Sequence, residues 1–309
     1  MVAAPRFSGV LAPAITPFEA DLSVSRARFV RHCRWLLDHG CSGLAVFGTN
    51  SEANSLTVEE RMSLLEALVE GGVSSAVLMP GTGCCSLMDS VRLTAHAVRL
   101  GCGGVLMLPP FYYKGVSVEG LYRNFSEIIE RVADSRLRLY LYHIPPVAQV
   151  PIPLELIERL FHRYPGTVAG VKDSSGDWNN TKAMLDRFAT SGFEVFAGSE
   201  VFLLANMRHG GVGCISATAN VNPARIRCLF DNWRDDKADA VQEELSATRA
   251  VVQKHPMIAA LKAIVSHYSG DAQWAAVRPP LVELSAEDRR TLAQSLNARG
   301  FTMSGLGRG

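Results

Sequence analysis

The feature that most constrains this chain is an alternation running from residue 8 to residue 236. A short apolar, β-rich run is followed by a loop of Gly, Ser, Thr, Asn and Pro, then by an amphipathic helical stretch. Eight runs carry the pattern: 8–16 (SGVLAPAIT), 42–48 (SGLAVFG), 76–81 (AVLMPG), 103–109 (GGVLMLP), 137–144 (LRLYLYHI), 167–173 (TVAGVKD), 193–199 (FEVFAGS) and 211–217 (GVGCISA). Helical periodicity fills stretches such as 24–40, 58–72 and 88–101, which close on Gly as helix C-termini often do. The runs are apolar almost throughout, the mark of parallel strands buried on both faces. Eight such units of roughly 25–30 residues predict an α/β chain folded as a (β/α)8 TIM barrel. An open doubly wound sheet uses the same units but rarely repeats eight of them with so little insertion.

Beyond residue 236 only helical patterns remain, at 238–255, 257–270 and 285–300. No Gly-, Ser- or Pro-rich linker precedes them. The expected division is a barrel over 1–236 and a helical extension over 237–309 packed on it. The closing GLGRG (305–309) reads as a frayed tail.

Composition narrows the function classes. With 48% hydrophobic and 20% charged residues among 309, the chain can bury a large core and is not disordered. A net charge of +1 and scattered basic residues favour neither nucleic acid nor an anionic membrane. The N-terminal stretch is interrupted by Pro13 and Pro17 and reads as neither signal peptide nor membrane span. Seven cysteines (33, 41, 84, 85, 102, 214 and 228) lack a paired CxxC arrangement. They read as reduced core residues of a cytoplasmic protein without a structural metal.

Six lysines stand against 25 arginines. Lys114, Lys182, Lys237, Lys254 and Lys262 fall in loops or helical stretches, where a solvated charge is expected. Lys172 instead closes the apolar run TVAGV, directly before DSSGD. Burying an unpaired ammonium is expensive, so this lysine needs a partner or a task. Active-site groups of a barrel gather at the C-terminal strand ends, where a lysine in a dry pocket can attack carbonyls. From position alone, an ion pair with Asp173 and a nucleophilic amine both stay open.

Other strand ends hold polar groups. GTNSE (48–52) offers backbone N–H groups plus the Thr49 hydroxyl and Asn50 amide for a carboxylate; an ordinary capped turn is the competing reading. In LYLYHIPP (139–146), Tyr140 and Tyr142 share one face. Tyr140 reads as core packing, whereas Tyr142, nearer the barrel's top, suits either packing or proton transfer. PPFYYKG (109–115) places Tyr112 and Tyr113 on a loop, suited to an interface. Other motifs fail. Gly81-Thr82-Gly83 has Ser86 where a dinucleotide fingerprint needs its third glycine, and there is no Walker loop, HExxH or GxSxG. The eight histidines have unrelated spacings, which disfavours a zinc-dependent aldolase.

In sum these motifs resemble, over roughly residues 8–295, the dihydrodipicolinate synthase / N-acetylneuraminate lyase family of Schiff-base barrel enzymes. GTNSE, PGTG (80–83), PPFYYKGVSVEGLY, LYHIP, GVKDSSGD, AGSE (197–200) and GCISATANV (213–221) carry the likeness, in order. The resemblance implies a class I aldolase or lyase that joins or splits pyruvate and an aldehyde, without metal or organic cofactor, as a homotetramer built from pairs of dimers. It implies that Lys172 forms the Schiff base, Tyr142 moves protons, and Thr49 with Asn50 holds the keto-acid carboxylate. It further implies that Tyr113, with Tyr112 as fallback, crosses a dimer interface to complete a relay with Thr49. Ile215 matches the residue that contacts bound keto acid. By their place at strand tops, Ser174, Ser175, Ser199 and Glu200 are expected to meet the variable half of the substrate.

The chain also departs from the family. His143 replaces the usual Asn after the relay tyrosine, and Ser51 the usual glycine. Val147 stands where dihydrodipicolinate synthases carry an arginine for the aldehyde's carboxylate. Val58 and Arg61 replace the histidines of lysine-regulated members. GTN, KDSSGD, AGSE and RPPLVELSAEDRR (278–290) are instead similar to 4-hydroxy-2-oxoglutarate aldolases. The expected substrate is therefore a 2-keto acid such as 4-hydroxy-2-oxoglutarate or a 2-keto-3-deoxy sugar acid. 4-Hydroxy-tetrahydrodipicolinate synthesis from pyruvate and aspartate semialdehyde is the alternative, and a non-catalytic keto-acid-binding regulator is the reading from another class.

Overall fold

The structure, a computed structural model, describes residues 7–307. In chain order its strands are β1 (Gly9–Ala12), β2 (Gly43–Leu44), β3 (Val105–Met107), β4 (Leu139–His143), β5 (Val168–Asp173), β6 (Glu194–Ala197) and β7 (Gly213–Ile215). The helices are α1 (Arg26–Asp38), α2 (Val58–Glu70), α3 (Leu87–Arg99), α4 (Val118–Val132), α5 (Pro145–Ala148), α6 (Leu154–Arg163), α7 (Trp178–Phe188), α8 (Leu203–Arg208), α9 (Pro223–Asp231), α10 (Ala238–Val252), α11 (Met257–Ser269) and α12 (Ala286–Asn297). Several helices start where the sequence supplies a cap. Thr57 accepts from the Glu60 N–H while Glu60 accepts from the Thr57 N–H, and Ser86, Ser117, Asp177 and Ser285 cap α3, α4, α7 and α12.

All strand pairs are parallel, in the order β2-β1-β7-β6-β5-β4-β3. The two edges, β2 and β3, are joined through segment 78–82. Met79 and Gly81 donate to Leu44 O and Val46 O at 2.8 and 2.7 Å, and Leu106 N–H donates to Pro80 O at 2.9 Å. This corrects one expectation. The run at 76–81 is not a continuous strand: it opens on a helical turn (Ser75–Val77) and then makes only isolated bridges, Leu44–Leu78 and Gly81–Leu106. Pro80 has no N–H to offer a ladder, which explains the interruption. The result is a TIM-barrel-like α/β fold around a seven-stranded parallel sheet.

Both faces of the sheet are buried. Leu11, Ala45, Met79, Leu106, Tyr140, Tyr142, Phe196 and Ile215 pack together on the inner face. Their strand neighbours Val10, Ala12, Val105, Met107, Leu141, Val171, Val195 and Cys214 join the helices in a larger outer cluster. This two-sided burial is why the runs read as continuously apolar.

The C-terminal helices pack against the strand-bearing part: α10 meets α8 and α9, and α11 meets the turns Ala217–Asn220 and Ala272–Ala275. No described helix is long and apolar enough to cross a membrane. All seven cysteines are free thiols; Cys33, Cys41 and Cys214 are buried, but Cys85 is exposed. Residues 305–307 do not form the free end expected of them. Met303 is buried and the Trp35 indole N–H donates to Ser304 O at 2.9 Å, which docks this segment on α1. The rest of that expected tail (308–309), like the first six residues of the supposed leaderless N-terminus, lies outside the described residues.

Candidate active site

Lys172 is the penultimate residue of β5. The parallel register pairs it with Tyr142 on one side and Phe196 on the other, so all three side chains enter the inner face. Lys172 is 2% exposed, and its Nζ lies 4.2 Å from the centroid of the Tyr142 ring. Asp173, one residue on, points the opposite way. Its carboxylate accepts from the Ser175 N–H (2.9 Å), Ser175 Oγ (3.1 Å), Asn180 Nδ2 (3.0 Å) and Thr181 Oγ1 (2.6 Å). The structural ion pair left open by the sequence is therefore not made. Among the described residues, no carboxylate pairs with Lys172.

Tyr142 is equally buried, and its hydroxyl is 3.3 Å from Thr49 Oγ1. Thr49 and Asn50 begin a short helical turn, Thr49–Ser51, and the leading N–H groups of such a turn have no acceptor inside it. Thr16 Oγ1 holds the turn from below by donating to Ser51 O at 2.7 Å. Tyr140 plays a different part. It donates to Glu194 at 2.6 Å and packs edge-on against Phe7 and Phe196; burial and the Glu194 carboxylate raise its phenol, keeping it protonated. His143, the departure from the family's Asn, lies in the outer-facing register beside Asp173. Its Nδ1 accepts the Ile152 N–H at 3.0 Å, and burial lowers its pKa against the raising influence of Asp173.

These groups open onto a cavity of about 870 Å³, whose wall includes Lys172, Tyr142, Thr49, Asn50, Ser174, Ser175, Ser199 and Val147. Gly198 lets two strand-end loops meet there: a Cβ on it would stand 2.1 Å from Ser174 Oγ and 2.6 Å from Asp173 O. A second hollow of about 660 Å³, between α1 and residues 305–307, holds none of the expected site residues.

The structure thus gathers Lys172, Tyr142, Thr49, Asn50, Ser174 and Ser199. Two residues expected to meet the substrate lie off this wall. Ile215 is fully buried in the inner cluster with Tyr142 and Phe196 and is not on the cavity wall. Glu200 is also off the wall. Its carboxylate turns to the hydroxyls of Ser216 and Thr218 and to Arg249 Nη1, at 2.7 Å, because a buried carboxylate needs donors. Tyr113 is 69% exposed beside Tyr112 and away from this chain's own cavity.

Two charged neighbours of these groups escape sequence reasoning. Arg249, from α10, reaches the cavity wall. Lys262, expected to be solvated, is fully buried in α11: it pairs with Glu52, donates to Ala276 O at 2.7 Å and lies over the Phe18 ring. Burial lowers its pKa to about 8, against the pull of Glu52. No signal in a lone helical lysine reveals a partner 210 positions away, at the end of the Thr49–Ser51 turn. Among the described residues, no group of three or more His, Cys, Asp and Glu side chains is arranged to hold a metal.

Comparison with known proteins places the chain in a family. The model of the dihydrodipicolinate synthetase family matches residues 6–299. A DapA-like lyase of Chloroflexus aurantiacus is 33% identical over 91% of this chain and 93% of its own. A 4-hydroxy-tetrahydrodipicolinate synthase of Desulforamulus reducens is 30% identical over 94% and 97%. The crystal structure of dihydrodipicolinate synthase from Agrobacterium tumefaciens superposes with a TM-score of 0.88, at 32% identity, over 94% of this chain and 99% of that one. A prophage protein of the same family from E. coli K12, solved in complex with pyruvate, also gives 0.88, at 25% identity, over 96% and 99%. With its fold and nearly its whole length matched, this chain belongs to the dihydrodipicolinate synthetase family, and is a lyase.

Proposed function

We propose that this protein is a class I aldolase that splits, or forms, a carbon–carbon bond between pyruvate and an aldehyde through a Schiff base on Lys172. The observation that carries this reading is the buried Lys172 amine, without a carboxylate partner among the described residues, 4.2 Å from the ring centroid of Tyr142, whose hydroxyl meets Thr49. In the cleavage direction, the amine adds to C2 of a 4-hydroxy-2-keto acid, and the carbinolamine hydroxyl leaves as water with the proton of the Tyr142 hydroxyl, giving a protonated imine beside a Tyr142 phenolate. That phenolate takes the C4 hydroxyl proton, the C3–C4 bond breaks, and its electron pair enters the imine to form an enamine. The aldehyde departs, C3 takes a proton, and water releases pyruvate from Lys172. The imine is the electron sink, so neither a metal nor an organic cofactor takes part in these steps.

Thr49 and Asn50 hold the carboxylate. Tyr113 of a second copy completes the relay in a homotetramer assembled as a dimer of dimers; its exposure on a loop supports that role. Segment 78–82 counts as the third of eight barrel strands, with 1–236 the barrel and 237–309 its helical extension. Free thiols fit a cytoplasmic setting. The substrate is a 2-keto acid of the 4-hydroxy-2-oxoglutarate or 2-keto-3-deoxy sugar acid type. Relatives named 4-hydroxy-tetrahydrodipicolinate synthase favour a second reading, with aspartate semialdehyde as the aldehyde, against which Val147 speaks.

Borohydride reduction with pyruvate is expected to leave one stable adduct, on the peptide containing Lys172, and none in Lys172→Ala. An unmodified Lys172 after exposure to pyruvate and to both keto-acid types would remove the Schiff-base reading.

A further inference from the structure

The half of the cavity beyond Lys172 is where the aldehyde portion of the substrate must lie. Its walls say what that portion can be. Among the described residues that line the cavity, the cations are Lys172 and Arg249 and the anion is Asp173. Lys172 is committed to the keto group. Asp173 is satisfied by four donors from Ser175, Asn180 and Thr181. Arg249, 8% exposed, donates through Nη1 to Glu200, to Ser216 Oγ at 3.0 Å and to Thr218 Oγ1 at 3.4 Å. Its charge is already balanced by a carboxylate that is itself buried and held by two hydroxyls. A substrate carboxylate on this guanidinium would set a second anion beside Glu200, which like-charge repulsion in a dry site opposes.

The rest of this half is neutral. Val147, Val201, Phe202, Ile258, Leu281 and Val282 make an apolar wall, with Ser174, Ser175, Ser199 and Gln253 as polar but uncharged groups beside them. Val147 is 60% exposed and stands in α5, at the mouth, where a cation would reach an incoming carboxylate. A carboxylate against this wall would lose its water and gain no charge partner. An alkyl chain would bury apolar surface there instead.

We infer that the aldehyde which this site releases or accepts is uncharged, with its chain lying against the Val147–Val282 wall; this rests on the Schiff-base reading of Lys172. Within the substrate classes above, the inference turns away from glyoxylate and aspartate semialdehyde, both of which carry a carboxylate.

The test uses the full-length protein, pyruvate and two aldehydes of equal carbon count, butanal and succinate semialdehyde. Wild type is expected to condense butanal with kcat/KM at least about tenfold higher. Val147→Arg, at an exposed position that folding tolerates, is expected to move the ratio about tenfold toward succinate semialdehyde. Equal rates, or a preference for succinate semialdehyde in wild type, would overturn the inference. Borohydride trapping with pyruvate alone separates the two levels. An adduct on Lys172 without turnover of either aldehyde overturns only the inference about the aldehyde, whereas no adduct overturns the Schiff-base reading and this inference with it.

Discussion

Tyr142 touches both ends of the chemistry: its ring lies under Lys172 Nζ and its hydroxyl reaches Thr49. Tyr142→Phe keeps the ring and its packing but removes the only proton this side chain can move. Proton transfer by a placed side chain contributes typically 10²- to 10⁴-fold, so kcat for pyruvate release should fall by about that factor while thermal stability stays near wild type. Steady-state kinetics beside a melting curve would check it; a kcat within threefold of wild type would assign the proton to another group. Lys172 was legible in the sequence because it breaks an apolar run at a strand end, where a charge has no ordinary reason to be. Lys262 was not, because a lysine on an amphipathic helix looks solvated until a distant carboxylate is folded against it. Glu200 misled for the converse reason. Its position at a strand top was read correctly, but a buried carboxylate goes where donors are, and Ser216, Thr218 and Arg249 Nη1 hold it off the cavity wall.

Elements depend on how distant pieces share a buried polar group. His32, in α1, is fully buried between Trp35 and Trp274, with Nε2 3.3 Å from Asn220 Oδ1 in the turn after β7. One ring thus ties the first helix, the last strand's loop and the C-terminal segment together. Burial lowers its pKa from 6.5 to about 4. The unfolded chain therefore holds more protons than the folded one between these values, and acid favours unfolding there. His32 costs the fold nothing above about pH 6.5 and progressively more as pH falls toward about 4. Between pH 7 and pH 5 wild type should lose about 2 kcal/mol more than His32→Phe, from urea unfolding at both pH values. Equal losses in the two proteins would place the acid sensitivity elsewhere. At this scale the strand–loop–helix alternation made most elements legible, since apolar runs and caps are local. The run at 76–81 was the exception: hydropathy marks its burial, but the ladder depends on N–H groups, and Pro80 lacks one.

For the whole molecule the open question is where Tyr113 acts, since it is 69% exposed and away from its own chain's Lys172. If each site takes Lys172 from one subunit and Tyr113 from its neighbour, neither residue needs to be intact on the same chain. Lys172→Ala and Tyr113→Phe should each be strongly impaired alone. Unfolded together and refolded at equal concentration, they should form mixed dimers in which one site pairs an intact Lys172 with a neighbour's intact Tyr113. Half the dimers would be mixed and half of their sites complete, so activity should return to about a quarter of wild type, as an isologous two-site dimer requires. Repeating the mixture with Tyr112→Phe in place of Tyr113→Phe assigns the relay to one tyrosine, because a variant that is active alone has lost nothing for its neighbour to supply. A mixture that stays at the sum of its two parents would mean that Tyr113 serves its own chain, or holds the interface without entering the site. The exposed tyrosine pair would then be explained by subunit packing alone, and the proton relay would end at Thr49.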